Sequence, residues 1–286
     1  MKAAPFDYVA PDSIEAAVDH LARGGGESVV LAGGQTLMPL LALRMATPSV
    51  VVDINRIAEL SGVSRLDGAT RVGATTRQAT ILTDPTIAAH APTLAQAVRN
   101  VGHHQTRNRG TVGGSVSLGE PAAELPATAL ALEAMIETRS PRGTRRIAAG
   151  DFYTGPYSTV LEPDELVVAL HYPDLPANTL TLVHEVARRP GDFALTGFIG
   201  AFTVDGGAIS RARISWLAMG PTPMRSPKAE AALVGQRVGQ IDLDEIGRLA
   251  ASETDPMDDG HASADYRRTA GARIFRRAVG QALETR

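Results

Sequence analysis

The chain has 286 residues, a length that suits two modest domains better than one large core. Its 44% hydrophobic and 21% charged residues are ordinary for a globular protein, and a formal charge of −3 offers no basic surplus for binding nucleic acid. It contains no cysteine, which excludes disulfides, thiolate metal sites and iron–sulfur clusters carried on this chain.

No stretch approaches the ~20 apolar residues of a membrane span. The N-terminal MKAAPFDYVA lacks an apolar signal core. The expected location is therefore the cytoplasm, although a protein exported with a signal-bearing partner would look the same. Local arginine runs (Arg142, Arg145 and Arg146; Arg267 to Arg277) read as solvated faces.

In chain order, residues 6–9 form a short strand, and Ser13 caps a helix with Ile14, Ala17, Val18 and Leu21 on one face. The β-branched run 28–32 is a buried strand. A turn AGGQT (32–36) follows and then a short apolar helix from Leu37, so the first glycine pair sits between strand and helix, where free backbone N–H groups favour an anion. Residues 50–54 form a strand, 57–60 a short helix and 70–73 another strand, after which Thr75 or Thr76 caps a helix near Arg77. An alanine-rich helical stretch over 86–101 is interrupted at Pro92 and stopped by Gly102. Beyond Pro126, residues 127–134 read as a buried helix, 135–139 as a strand ending in a hairpin turn, 146–157 as turn-rich and 166–172 as a strand. Residues 173–179 mark a domain boundary. Strands at 180–186, 199–205 and 212–219 then precede helices at 228–234, 242–250 and 263–284, an α+β layer.

Most of the chemistry lies in residues 107–126, RNRGTVGGSVSLGEPAAELP. Glycine pairs permit positive φ and let backbone amides approach a ligand with no Cβ in the way. Thr36 and Thr111 each set a hydroxyl beside such a pair. Two turns of this kind suit a diphosphate better than a monophosphate. Neither fits G-x-G-x-x-G or the lysine-bearing Walker pattern, so a Rossmann or P-loop assignment is poorly supported. His103 and His104 lack companions at metal-ligand spacing and read as loop-capping residues. Arg107 and Arg109 either bond loop carbonyls or balance phosphate charge.

The stretch at 107–126, with AGGQTLMPLL upstream, RRPGDFAL at 188–195 and RARISWLAMGPTPMRSPKAEAAL in the C-terminal part, resembles the FAD-binding medium subunit of molybdenum hydroxylases, the carbon monoxide dehydrogenase and xanthine dehydrogenase family. The resemblance covers essentially the whole chain. It implies an α+β fold with a two-subdomain FAD-binding domain of the vanillyl-alcohol-oxidase/PCMH-like type at 1–175, subdivided near 55–60. A C-terminal α+β domain with a three-stranded sheet and helices would occupy 176–286.

By the same resemblance, Ala32, Gly33, Gly34, Gln35, Thr36, Thr111, Gly113 and Gly114 would hold the FAD pyrophosphate, with Leu37 against the cofactor. Gly114→Val would then put a branched side chain where backbone meets phosphate. Glu124 would bond the adenosine ribose, and its residue-level alternative is a carboxylate favoured by a helix N-terminus. Leu161 would pack near the adenine, and Asp192 and Phe193 would form the loop beside the isoalloxazine ring. Phe193 read without the resemblance could equally be a core residue. Two positions depart from the family pattern. Ser115 stands where asparagine is usual, altering one polar contact. Glu185 stands where lysine is common near the flavin, and a carboxylate there disfavours the reduced anionic ring.

The implied function is an electron-transferring FAD subunit of a heterotrimeric molybdenum-containing hydroxylase. [2Fe-2S] clusters would lie on a small partner subunit and the molybdopterin cofactor on a large one, in a dimer of heterotrimers. No catalytic or metal-ligating residue is expected on this chain. The alternatives are a self-sufficient FAD oxidoreductase of the wider fold and a non-redox scaffold subunit.

Overall fold

Three sheets organise the chain, and the structure, a computed structural model, describes residues 2–284. The first contains β1 (Asp7–Val9), β2 (Ser28–Leu31) and β3 (Val50–Asp53), all parallel, with β3 in the middle. Two helices make the crossovers, α1 (Ile14–Gly24) and α2 (Leu37–Ala42). Ser13 accepts the Ala16 N–H at 3.2 Å and starts α1, and Gly25 at φ 53° ends it. Ile14, Ala17, Val18 and Leu21 are buried, as their helical spacing requires, and they pack with Val52 and Ile54.

The middle of the chain supplies β4 (Val63–Leu66), β5 (Ala69–Gly73), α3 (Gln78–Ile81), α4 (Pro85–His90), α5 (Pro92–Asn100), α6 (His104–Arg109), α7 (Val112–Leu118) and α8 (Glu124–Ala131). After these come β6 (Met135–Ser140), β7 (Gly143–Ala148), β8 (Tyr153–Gly155), β9 (Ser158–Thr159) and β10 (Leu166–Pro173). The second sheet runs β4-β5-β10-β6-β7, antiparallel throughout. Its central strand explains how the layers join. Leu166 and Val168 of β10 pack with α1 and β3, while Val167 and Leu170 pack in the core beneath α5, α7 and α8. A strand buried on both faces needs an uninterrupted apolar run, and LVVAL is one.

The C-terminal part is an antiparallel meander of β11 (Thr179–Val186), β12 (Thr196–Asp205), β13 (Ala208–Leu217) and β14 (Met224–Arg225), followed by α9 (Pro227–Leu233), α10 (Leu243–Ser252) and α11 (Ala264–Glu284). The two-residue β14 extends the three expected strands by one. Phe198, Trp216 and Phe275 have ring centroids 5.2–6.3 Å apart and form the centre of this core. Trp216 is fully buried, so its indole N–H needs a partner, and Ser226 Oγ accepts it at 2.7 Å.

α8 joins the second sheet to the third. All eight of its residues are buried: Leu125 and Ala129 face the second sheet's core, and Ala127 and Ala131 face Ile199 and Leu217 of the third sheet. A helix enclosed on all sides carries no polar stripe. It begins at Glu124, three residues ahead of the expected start.

Four other elements depart from the sequence-based reading. α6 has no buried residue and therefore no apolar period to betray it. β4 is largely exposed, and β7 occupies part of the stretch that composition suggested was turns. The helix near Arg77 is not capped by threonine: Thr76 Oγ1 instead accepts the Gly62 N–H at 2.9 Å and bonds its carbonyl at 3.0 Å. Among the described residues no helix is long and apolar enough to cross a membrane.

Candidate functional site

The two glycine turns, distant in sequence, meet backbone to backbone. Gly33 is buried, and a Cβ built on it would lie 2.6 Å from the Arg109 carbonyl oxygen and 2.8 Å from Gly110 Cα. A Cβ on Gly114 would lie 3.6 Å from Ala32 Cβ and 2.7 Å from Thr111 Oγ1. Within the chain itself, the absent side chain at 114 makes room for the threonine cap.

The turns differ in what they offer a ligand. At 32–36 the chain leaves β2, passes Gly34 at φ 71° and enters α2. Among the described residues the N–H groups of Gly33, Gly34, Gln35, Thr36 and Leu37 donate to no group of the chain. Thr36 is the N-cap of α2 and its side chain makes no capping bond, so its hydroxyl is free as well. Gln35 and Thr36 are exposed, and the Gln35 side-chain amide donates to the Gly33 carbonyl at 3.2 Å. A run of unpartnered N–H groups on a glycine turn is an anion-binding arrangement.

At 112–115 the amides are already committed, while among the described residues the Thr111 N–H donates to no group of the chain. Val112 N–H donates to the Thr76 carbonyl at 3.0 Å and Gly113 N–H to the Ala74 carbonyl at 2.8 Å. Gly114 N–H donates to Thr111 Oγ1 at 3.1 Å, and Ser115 N–H to the Thr111 carbonyl at 3.2 Å. Gly113 is glycine for packing, since a Cβ there would sit 2.5 Å from Ala74 Cβ. The two turns thus differ: the first carries free donors along its length, and the second is fastened to the end of β5 through Val112 and Gly113.

Two residues that sequence reasoning passed over hold this arrangement. Asn55, just after β3, donates its side-chain amide to the Ala32 carbonyl at 2.8 Å. Its carbonyl oxygen accepts Arg77 Nη2 at 2.6 Å, and Arg77 Nη1 donates to the Arg109 carbonyl. Behind them, Asp53 accepts the Asn55 side chain at 2.6 Å and the Tyr8 hydroxyl at 2.6 Å. Burial, then the positive charge of Arg109, pulls the Arg77 guanidinium below its usual range. Of the two loop arginines, Arg107 bonds the Val101 and Gly102 carbonyls at 2.8 and 2.9 Å, a structural role. Arg109 is exposed and has no partner among the described residues.

The remaining expected residues fall on the neighbouring elements. Glu124 opens α8 and is only 4% exposed, so it presents little surface to a ribose. Burial, and then the charge of Glu185, pushes its carboxyl up to about 8. Glu185 on β11 is pushed up to about 7 by burial, opposed by a bond to Asn100, and its Oε2 is buried without a partner. Burial thus favours the neutral form of both carboxyls, and a charge on Glu185 further disfavours ionisation of Glu124.

Leu161 follows β9 and packs against the core that includes Val112 and Val116 of α7. Asp192 and Phe193 lie on the loop between β11 and β12, and Phe193 is 62% exposed, which removes the plain-core alternative. This loop rests on the segment before α6: Gly191, at φ 88°, has no room for a Cβ, which would lie 2.6 Å from the His103 ring. His103 is therefore a loop support, and His104 pairs with Asn108 at 3.2 Å within α6. Among the described residues no cluster of His, Cys, Asp or Glu could hold a metal.

Comparison with known proteins matches residues 4–175 to the FAD binding domain in molybdopterin dehydrogenase and residues 182–282 to the CO dehydrogenase flavoprotein C-terminal domain. The chain is 38% identical to 6-hydroxypseudooxynicotine dehydrogenase complex subunit alpha of Paenarthrobacter nicotinovorans, over 99% of this chain and 96% of that one. It is 36% identical to the nicotine 6-hydroxylase medium subunit of the same organism, over 99% of each. Its fold superimposes on carbon monoxide dehydrogenase of Hydrogenophaga pseudoflava with a TM-score of 0.96 at 33% identity, covering 99% of both chains.

Proposed function

The chain belongs to the FAD-binding medium subunits of the molybdenum hydroxylase family, and from that premise we propose that it is the electron-transfer subunit of a heterotrimeric hydroxylase. In this reading it takes electrons from iron–sulfur clusters on a small partner and passes them to an external acceptor. A large partner carries the molybdenum cofactor, and the complex works in the cytoplasm as a dimer of heterotrimers. The observation that carries the FAD site is the run of five unpartnered N–H groups at 33–37, a donor set that fits the four non-bridging oxygens of a diphosphate.

FAD, when bound, would supply the redox chemistry of the subunit. The chain's part is to bind, orient and tune. Gly33, Gly34, Gln35, Thr36 and Leu37 would take the diphosphate on their amides, with the free Thr36 hydroxyl beside them. Ala32, Thr111, Gly113, Gly114 and Ser115 would form the wall that fixes the turn. Glu124 would meet the adenosine ribose as a neutral carboxyl, which can donate as well as accept. Leu161 would lie toward the adenine, and the exposed Asp192–Phe193 loop toward the flavin ring. The break between the two family matches, after residue 175, supports a FAD-binding domain at 1–175 and a second domain from 176.

The test is purification of the chain with its small and large partners, followed by anaerobic addition of candidate substrates. Bleaching of flavin absorbance that requires all three chains is the expected result. Flavin reduction by this chain alone would favour a self-sufficient oxidoreductase, and a colourless complex would overturn the assignment.

A further inference from the structure

Loops 32–37 and 109–115 touch at Gly33, yet among the described residues no hydrogen bond joins them directly. Loop 109–115 is fastened to the end of β5, through Val112 to Thr76, Gly113 to Ala74 and the Gln78 N–H to the Gly110 carbonyl at 2.9 Å. Loop 32–37 has no such fastening. Its polar link to that wall runs through two side chains: the Asn55 amide on the Ala32 carbonyl, and Arg77 from the Asn55 oxygen to the Arg109 carbonyl. Arg77 is half-buried and, among the described residues, forms no ion pair. The carboxylate that acts on its charge is Asp53, which lies behind Asn55 and makes no direct bond to Arg77.

We propose that Arg77 is a positioning residue for a diphosphate-bearing ligand: through Asn55 it fixes the spacing between the free-amide turn and its wall, so that the amides are preorganised before the ligand arrives. The inference rests on the FAD reading of the site. A bridge that sets the cradle's shape acts on the diphosphate and leaves recognition of the flavin ring alone. Lysine cannot replace it, because a single ammonium on a flexible stem does not hold two acceptors in a fixed fork.

The test uses the full-length chain stripped of flavin, titrated calorimetrically with FAD, ADP and riboflavin. Arg77→Met should weaken FAD and ADP by about 10- to 100-fold, the range for lost hydrogen bonds to a charged group, and change riboflavin by less than about twofold. Arg77→Lys should recover little of the loss. Asn55→Ala leaves Arg77 in place and should weaken FAD and ADP comparably, and the double variant should lose little more, because both groups belong to one chain of bonds. Unchanged ADP affinity in Arg77→Met or Asn55→Ala overturns the proposal, as does full recovery by Arg77→Lys or an equal loss of riboflavin. A wild-type chain that binds neither FAD nor ADP instead overturns the FAD reading beneath it.

Discussion

Glu124 gives the most quantitative prediction. Its carboxyl is 4% exposed and is raised from 4.5 to about 8 by burial and then by the charge of Glu185. Between those two values the folded chain keeps a proton that the unfolded chain has lost, so stability falls as pH rises through the window and the loss is complete above about pH 8. At ~1.4 kcal/mol per pH unit, a window of this width corresponds to at most about 5 kcal/mol, and sharing of the repulsion with Glu185 brings the expectation to about 2–5 kcal/mol. Glu124→Gln is nearly isosteric with the protonated acid and does not titrate. In urea unfolding of the FAD-free chain, the variant and wild type should therefore differ little at pH 4.5. Their difference should grow in favour of the variant by that amount toward pH 9. A difference that stays constant across the range would refute the assignment of a buried, neutral Glu124.

Three other outcomes follow from the same geometry. Glu185 stands where the resemblance places the flavin, so Glu185→Gln should raise the FAD midpoint potential above pH 7 by roughly a few tens of millivolts and leave it unchanged near pH 5.5, in a spectroelectrochemical titration. Gly33→Ala forces a Cβ within 2.6 Å of the Arg109 carbonyl and should lower stability by about 1–3 kcal/mol in urea unfolding, with loss of FAD, because the turns must part. In the C-terminal domain, buried Glu230 accepts the Ile214 N–H at 2.9 Å and Arg225 Nε at 2.7 Å. Glu230→Ala should cost about 3–5 kcal/mol in the same assay by leaving Arg225 without its partner, while a cost below ~1 kcal/mol would contradict that role.

Much of the architecture was legible because its signals are local. Ser13 and the α1 face declare themselves within a few residues, and LVVAL announces a strand. The family resemblance rested on ordered motifs and covered the chain from end to end. What stayed hidden depended on distant contacts. α6, HQTRNR, buries nothing, so it has no periodicity to read. The different states of the two glycine turns could not be read from their similar sequences, because what consumes the second turn's amides is the carbonyl edge at Ala74 and Thr76. Asn55 and Arg77 carried no motif, and only the fold sets them between the turns. Glu124 was recognisable as a helix-opening carboxylate, but its near-complete burial follows from α8 lying between two cores.

The central claim is that the amides at 33–37 form the diphosphate seat of a FAD site. Calorimetric titration of FAD into the flavin-free, full-length chain tests it most directly, with ADP as competitor. The account predicts one FAD per chain, displaced competitively by ADP and lost in Gly33→Ala. Absence of FAD binding, or FAD binding that ADP does not compete with and Gly33→Ala does not weaken, would contradict it.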